Sequence, residues 1–269
     1  MTTDGAVEPS RTAQGVAAII PARDEQDRIA ATVAAAAGLD GIDLVIVVDD
    51  GSTDRTSTVA AEAGAVVVGH ARNQGKAAAM ETGATALGAI EAREAGRAAP
   101  RALLFLDADL EQSAAAAWPL ADPVLAGAVD MTIAVLPAQR TAGGGRGLVV
   151  DLARNGIERA TGWTPSQPLS GQRCLTRAAF DAALPLAPGF GVETGLTIDL
   201  LRQGFRVTEI EVEFHHRVTG TDWTAQLHRA KQYAHVMRAL VTRGVRPSLP
   251  ERLRRRGSDS GLAAGGRDS

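Results

Sequence analysis

The chain has 269 residues, enough for one large domain or two small ones around a substantial core. Its 45% apolar and 22% charged residues are those of an ordinary globular protein, and a net charge of -3 argues against a general nucleic-acid binder. The single cysteine, Cys174, excludes an internal disulfide framework and suits a reducing cytoplasm, the expected location. No apolar run is long enough to cross a bilayer, and residues 1–15 lack the order of a signal peptide.

In chain order, the polar residues 1–14 read as a tail. Val16 to Ile20 is a short buried-strand pattern ended by Pro21, and a helix is expected from Asp24, its N-cap, to about Ala37. Leu44 to Val48 gives the second strand. The polar turn Asp49-Asp50-Gly51-Ser52-Thr53-Asp54 follows, where Gly51 can take a positive φ and Thr53 or Asp54 can cap the next helix. Val66 to Val68 is the third strand, and Gly75-Lys76 opens an alanine-rich helix to about Ala95. The fourth strand, Leu103 to Leu106, is wholly apolar and runs into Asp107-Ala108-Asp109.

Strands alternating with helices of this length predict an α/β fold: a mostly parallel, Rossmann-like sheet with helices on both faces. The unusual polar residues of this half all follow strand ends: Pro21–Glu25, Asp49–Asp54, His70–Lys76 and Asp107–Glu111. Open α/β sheets bind ligands on that edge. Taken alone, Asp107 and Asp109 are explained by solvation of a strand end. If the chain stays extended they share a face, and two carboxylates about 4 Å apart repel by roughly 4 kcal/mol at an effective dielectric near 20. Such a pair calls for a cation, and hard oxygen ligands suit Mg²⁺ or Mn²⁺. With Lys76 as a point charge, the set fits a metal-bound nucleotide diphosphate. No P-loop and no dinucleotide-binding glycine pattern is present.

The second half is less regular, with no internal repeat. A strand is expected over Val129–Leu136, and a helix from Arg146, after three glycines, to about Thr161. The turn-rich Gln167–Gly171 precedes a short strand over Arg173–Thr176, and a helix opens at Phe190–Glu193 and reaches Arg202. From Val207 to Phe214 the residues alternate, with Ile210, Val212 and Phe214 facing one way and Glu209, Glu211 and Glu213 the other. His215 and His216 end that strand. A last helix runs from Trp223 to about Arg243, and residues 244–269 read as a second tail in spite of the basic run Arg252–Arg256. The folded part is thus 15–243, with a nucleotide-binding half over 15–136 and a smaller half over 137–243.

Ile20-Pro21-Ala22-Arg23-Asp24-Glu25, Val47-Val48-Asp49-Asp50-Gly51-Ser52-Thr53-Asp54, Gly75-Lys76 and Leu106-Asp107-Ala108-Asp109 resemble, in order and spacing, the family 2 glycosyltransferases of GT-A fold. Further on, Gly143-Gly144-Gly145-Arg146, Gln167–Gly171, Gly189–Leu196 and His216-Arg217 are similar to glucosyl-3-phosphoglycerate synthases, which are retaining, metal-dependent enzymes using a nucleotide-glucose. The likeness covers roughly residues 15 to 240. It implies a UDP-type donor, Mg²⁺ or Mn²⁺, and a small polar or anionic acceptor meeting the 137–243 half. It places Pro21, Ala22, Arg23, Glu25 and Asp50 on the uridine side. Lys76, Asp107, Ala108 and Asp109 fall on the diphosphate side, with Asp109, Asp107 and His216 toward the metal. It puts Glu193, also readable as a plain helix N-terminal acid, beside the transferred sugar. Gly145, Ser170 and Gly171 join the substrate-binding set, and Arg146 is nominated with Glu193 and Asp109 for catalysis.

The chain departs from that pattern on the acceptor side, where Leu148 and Val218 stand in place of a threonine and an asparagine. An inverting family 2 enzyme acting on a polyprenyl phosphate at a membrane surface is a second reading, and a sugar-nucleotide-binding protein without turnover a third. A nucleotidyltransferase would need a glycine-rich basic loop after the first strand, where Pro21–Glu25 stands. The oligomeric state is left open, a homodimer being one option.

Overall fold

The computed structural model describes residues 15–97, 99–136, 146–214 and 223–246. Seven strands form one sheet: β1 (Val16–Ala22), β2 (Ile42–Asp49), β3 (Val66–Gly69), β4 (Ala102–Phe105), β5 (Met131–Val135), β6 (Arg173–Leu175) and β7 (Val207–Glu211). Their order is β3-β2-β1-β4-β6-β5-β7, and β6 alone runs antiparallel to its neighbours. The expected mostly parallel sheet is therefore present. The reversal of β6 matters for the site. Its first residue, Arg173, lies opposite Phe105, so the chain leading into β6 reaches the edge where β4 ends.

The helices are α1 (Ile29–Ala37), α2 (Thr56–Glu62), α3 (Lys76–Glu91), α4 (Asp122–Leu125), α5 (Arg146–Thr161), α6 (Arg177–Ala182), α7 (Val192–Arg202) and α8 (Trp223–Thr242). Alternation along the strands feeds two cores. Val16, Ala18 and Ile20 of β1, with Val45 and Val47 of β2, pack on the α1 face; Ala17, Ile19, Ile46 and Val48 pack on the α3 face. A third cluster joins α5, α7 and α8 through Val149, Ile157, Ile198, Val236 and Leu240, and Val245, expected in the tail, is buried with it.

Several boundaries differ from the sequence expectation. β1 does not stop at Pro21 but continues to Ala22, whose carbonyl accepts from the Asp50 amide at 2.8 Å. α1 does not begin at Asp24, which has a φ of 53° and caps nothing. The amides of Asp24, Glu25 and Gln26 are used by the neighbouring loop instead, donating to Ser52 Oγ, Thr56 Oγ1 and Asp54 Oδ2 at 2.9, 2.8 and 3.1 Å. α3 ends at Glu91, whose carboxylate accepts from the Arg101 amide at 2.8 Å. β7 ends at Glu211, although Val212 and Phe214 beyond it are buried in the alternation expected. The short helices α4 and α6 escaped the sequence pattern.

Candidate active site

The first two loops interlock. Asp24 Oδ1 accepts from the Thr53 amide at 2.8 Å, and Asp54 Oδ1 accepts from the Thr56 amide at 2.9 Å. The Thr56 bonds pull Asp54 below the usual carboxylate range, against a burial effect of opposite sign. Gly51 takes the positive φ expected of it, 72°, and a Cβ there would meet the Arg72 carbonyl carbon at 2.6 Å. Glycine is thus required where this loop meets the next.

Asp50 is buried at that junction. Its Oδ1 accepts from the Gln74 amide and meets His70 Nδ1, both at 2.7 Å, and its Oδ2 accepts from the Gly75 amide at 2.7 Å. His70 Nε2 lies 2.9 Å from Thr82 Oγ1, so a chain of polar groups runs from α3 to Asp50. Pro21 and Ala22 line the end of β1 and Arg23 is exposed. Glu25 pairs with Arg28 Nε at 2.7 Å; burial raises its carboxyl pKa, and the charges of Asp109 and Asp54 add to that against Arg28.

β4 ends at Phe105, so Asp107 to Asp109 lie in a turn, and the expectation that both acids share a strand face is corrected. Asp109 sits within the electrostatic reach of Glu25 and Arg28, on the α1 side. Asp107 turns to the α3 side, where its Oδ1 accepts from Lys76 Nζ at 2.7 Å and its Oδ2 accepts from Gln172 Nε2 at 2.6 Å. Lys76 Nζ is also 3.2 Å from Glu193 Oε1, which is 9% exposed in the first turn of α7. Burial works to lower the Lys76 pKa, but Asp107 and Glu193 outweigh it and hold the ammonium well above its ordinary value. Gly171 closes the group: a Cβ there would fall 2.3 Å from Lys76 Nζ and 3.0 Å from Asp107 Oδ1. Ser170 is buried beside it, its Oγ 3.3 Å from Gln172 Oε1.

The fold therefore brings Lys76, Asp107, Glu193, Ser170 and Gly171 together from α3, the β4 turn, α7 and the β6 approach. Arg146 begins α5, but its side chain, Gly145 and His216 lie outside the described residues. Among the described residues no group of three His, Cys, Asp or Glu side chains is placed to hold a metal. Sequence reasoning missed Gln172 and Arg173. Gln172 could have been noticed as the neighbour of Gly171; nothing local marked Arg173, whose neighbours read as strand.

Residues 17–149 match the model of the glycosyl transferase family 2 family. The chain belongs to that family. Among curated family relatives, a glycosyltransferase of Haloferax volcanii, AglJ, is 31% identical over 78% of this chain and 66% of its own length. Glucosyl-3-phosphoglycerate synthase of Mycolicibacterium paratuberculosis is 33% identical over 72% of this chain. The chain covers only 62% of that relative's length. A crystal structure of the Mycobacterium tuberculosis synthase with phosphoglyceric acid superimposes with a TM-score of 0.67 at 27% identity, covering 87% of this chain and 82% of that one. Another structure of that enzyme, with Mn²⁺, UDP-glucose and phosphoglyceric acid, gives 0.65 at 26% identity over 87% and 81%. The α/β fold is thus shared with solved structures of that GT-A enzyme.

Proposed function

We propose that the protein transfers glucose, with retention, from a UDP-type donor to a small anionic acceptor, with Mg²⁺ or Mn²⁺. The observation that carries this reading is the Lys76–Asp107–Glu193 cluster packed against Gly171, where cation, carboxylates and a glycine with no space for a side chain meet on the ligand-binding edge. A membrane-spanning segment is not part of the reading: among the described residues no helix is long and apolar enough to cross a membrane. A cytoplasmic location is, and the buried, free thiol of Cys174 agrees with it.

The donor set suits the metal. Asp107 and Asp109 offer hard oxygens, and Gly171 lets the chain entering β6 pass close to Asp107, where a Cβ would fall 3.0 Å from Oδ1. Asp109, Asp107 and His216 would hold the ion, which when bound supplies neutralisation of the diphosphate. Lys76 would exchange part of its carboxylate contact for a phosphate oxygen, adding positive charge where the leaving group becomes more negative. Glu193, released from Lys76 to the same extent, would accept from sugar hydroxyls or face the positive charge growing at the anomeric carbon. Asp50 has three hydrogen-bond partners among the described residues, and a carboxylate can accept about four. The remaining position on Oδ2 is offered to uracil N3–H.

The acceptor would meet Arg146 at the start of α5. Leu148, 39% exposed in the first turn of that helix, has no hydroxyl to give it, and Val218 has no amide. Losing two hydrogen bonds to a charged group, at about 1.5–3 kcal/mol each, would weaken 3-phosphoglycerate roughly a hundredfold or more. The test measures UDP release from UDP-glucose with Mn²⁺ and a panel of small anionic acceptors. We expect turnover with some member of the panel. 3-Phosphoglycerate should be poor in the wild type, better in Leu148→Thr/Val218→Asn, and lost in Arg146→Ala. Efficient wild-type use of 3-phosphoglycerate contradicts the acceptor part, and an inert protein that binds UDP-glucose without releasing UDP contradicts transfer.

A further inference from the structure

Arg173 is 1% exposed, at the first position of β6. Its Nε donates to the Ser170 carbonyl at 2.9 Å and its Nη2 to the Pro168 carbonyl at 3.2 Å. Its Nη1 donates to the Glu193 carbonyl at 3.1 Å and to Thr197 Oγ1 at 2.8 Å. Thr197 Oγ1 in turn donates to the same Glu193 carbonyl at 2.8 Å. Among the described residues no carboxylate forms an ion pair with this guanidinium. Burial depresses its pKa to about 10, with the charges of Glu193 and Glu209 acting the other way. An unpaired buried cation is costly, and a neutral amide could satisfy two of these three carbonyls without a charge. The arginine does something an amide cannot: its planar fork spans two separate elements at once.

Those elements are the two walls of the site. On one side stands the 168–171 segment. Its approach is held from outside by Glu209, which accepts from the Ser166 and Gln167 amides at 2.8 and 2.9 Å, and by Arg154, which donates to the Pro165 and Ser166 carbonyls at 2.9 and 2.8 Å. On the other stands the first turn of α7, which carries the Glu193 carboxylate to Lys76. The Arg173 side chain bonds to both.

Resting on the transfer reading above, we infer that Arg173 is a positioning residue: by bonding Pro168 and Ser170 on one wall and Glu193 and Thr197 on the other, it sets where the Glu193 carboxylate stands against the donor sugar. It touches neither uridine nor diphosphate groups of the site, so its loss should slow the chemical step and spare nucleotide binding. A displacement of about 1 Å in a reacting group can cost on the order of a hundredfold in rate.

The experiment compares wild type, Arg173→Met, Arg173→Lys and Thr197→Val for kcat of UDP release with the best acceptor, for the Kd of UDP with Mn²⁺ by calorimetry, and for Tm. The expected result is a kcat roughly a hundredfold lower in Arg173→Met, with Kd within about threefold of wild type. Arg173→Lys, a point charge without the fork, should recover kcat only in part. Thr197→Val, which keeps the arginine but removes one of its acceptors, should lose several-fold in kcat at unchanged Kd. If Arg173→Met does not fold, Thr197→Val decides alone: a lower kcat at unchanged Kd supports the inference, and an unchanged kcat overturns it. Parallel loss of kcat and UDP affinity in a folded Arg173→Met would make the residue general scaffold and also overturn it. Wild-type protein that releases no UDP would instead overturn the transfer reading, and this inference with it.

Discussion

Two buried arginines stand at opposite ends of the sheet, and they are treated in opposite ways. Arg101, 4% exposed just before β4, meets Asp43 at 2.7 Å through Nε and Glu94 at 2.9 Å through each Nη. Burial works against its charge, yet these carboxylates raise its pKa. Arg173, at the other end, has carbonyls and a hydroxyl for partners, and its pKa is depressed. One edge is a closed, neutralised knot; on the other, Lys76 joins Asp107 and Glu193 beside Gly171 on the edge where open α/β sheets bind ligands. A buried charge that is fully paired locally reports on the fold, and one held by main-chain groups between two separate elements reports on the site.

The comparison is sharpest for Asp109→Ala. On the ligand edge this change should reduce turnover by roughly a thousandfold while Tm stays within a few degrees, since loss of a charge-stabilising group costs about 2.7–4 kcal/mol in the transition state. Steady-state UDP release and a melting curve read both quantities, and an active variant removes Asp109 from the metal site. Arg101→Met should do the reverse. It leaves Asp43 and Glu94 with Arg97 as their remaining cation, and with those partners partly exposed the loss is about 2–3 kcal/mol of stability, read by urea titration, with kcat per folded molecule unchanged. A loss of kcat without a loss of stability would mean the closed edge communicates with the site.

Asp50→Ala probes the boundary between the two kinds of role, because its carboxylate already secures the His70–Gly75 loop. It should weaken UDP on the order of tenfold more than it weakens inorganic pyrophosphate, since only the nucleotide brings a donor to the vacated position. Equal losses would assign Asp50 to the loop alone. The smallest effect concerns pH. Hydrogen bonds from Arg101 and Arg97 hold the Glu94 pKa at about 2, against an ordinary 4.5. A depressed carboxyl contributes stability in full above pH 4.5 and loses it as pH falls toward 2. Glu94→Gln should therefore flatten the fall of Tm across that window, and an unchanged pH profile would show that the knot does not hold its charge.

The parallel sheet was legible because β1, β2 and β4 are continuous apolar runs, each followed by polar residues that had no business in a core. Lys76 and Asp107 were named from sequence for the same reason, Glu193 and Gly171 through the resemblance to glucosyl-3-phosphoglycerate synthases, and the fold brings the four together. What escaped was long-range. No local pattern says that β6 runs backwards between β4 and β5, and without that reversal Gln172 and Arg173 have no reason to reach the β4 turn. Asp24 was misread as a helix cap because its partner, Thr53, lies on another loop. The extended-chain argument for Asp107 and Asp109 failed because the strand stops at Phe105, before either acid.

The central claim is that the edge where β1, β2 and β4 end is the nucleotide-sugar site and the opposite edge is not. Calorimetric titration of UDP into wild type, Lys76→Met and Arg101→Met, each with Mn²⁺ and with chelator, tests it directly. Wild type should bind UDP in a metal-dependent way, Arg101→Met should bind within about twofold of it, and Lys76→Met should be weaker by roughly tenfold or more. Undiminished binding by Lys76→Met, or metal-independent binding by the wild type, would contradict the account.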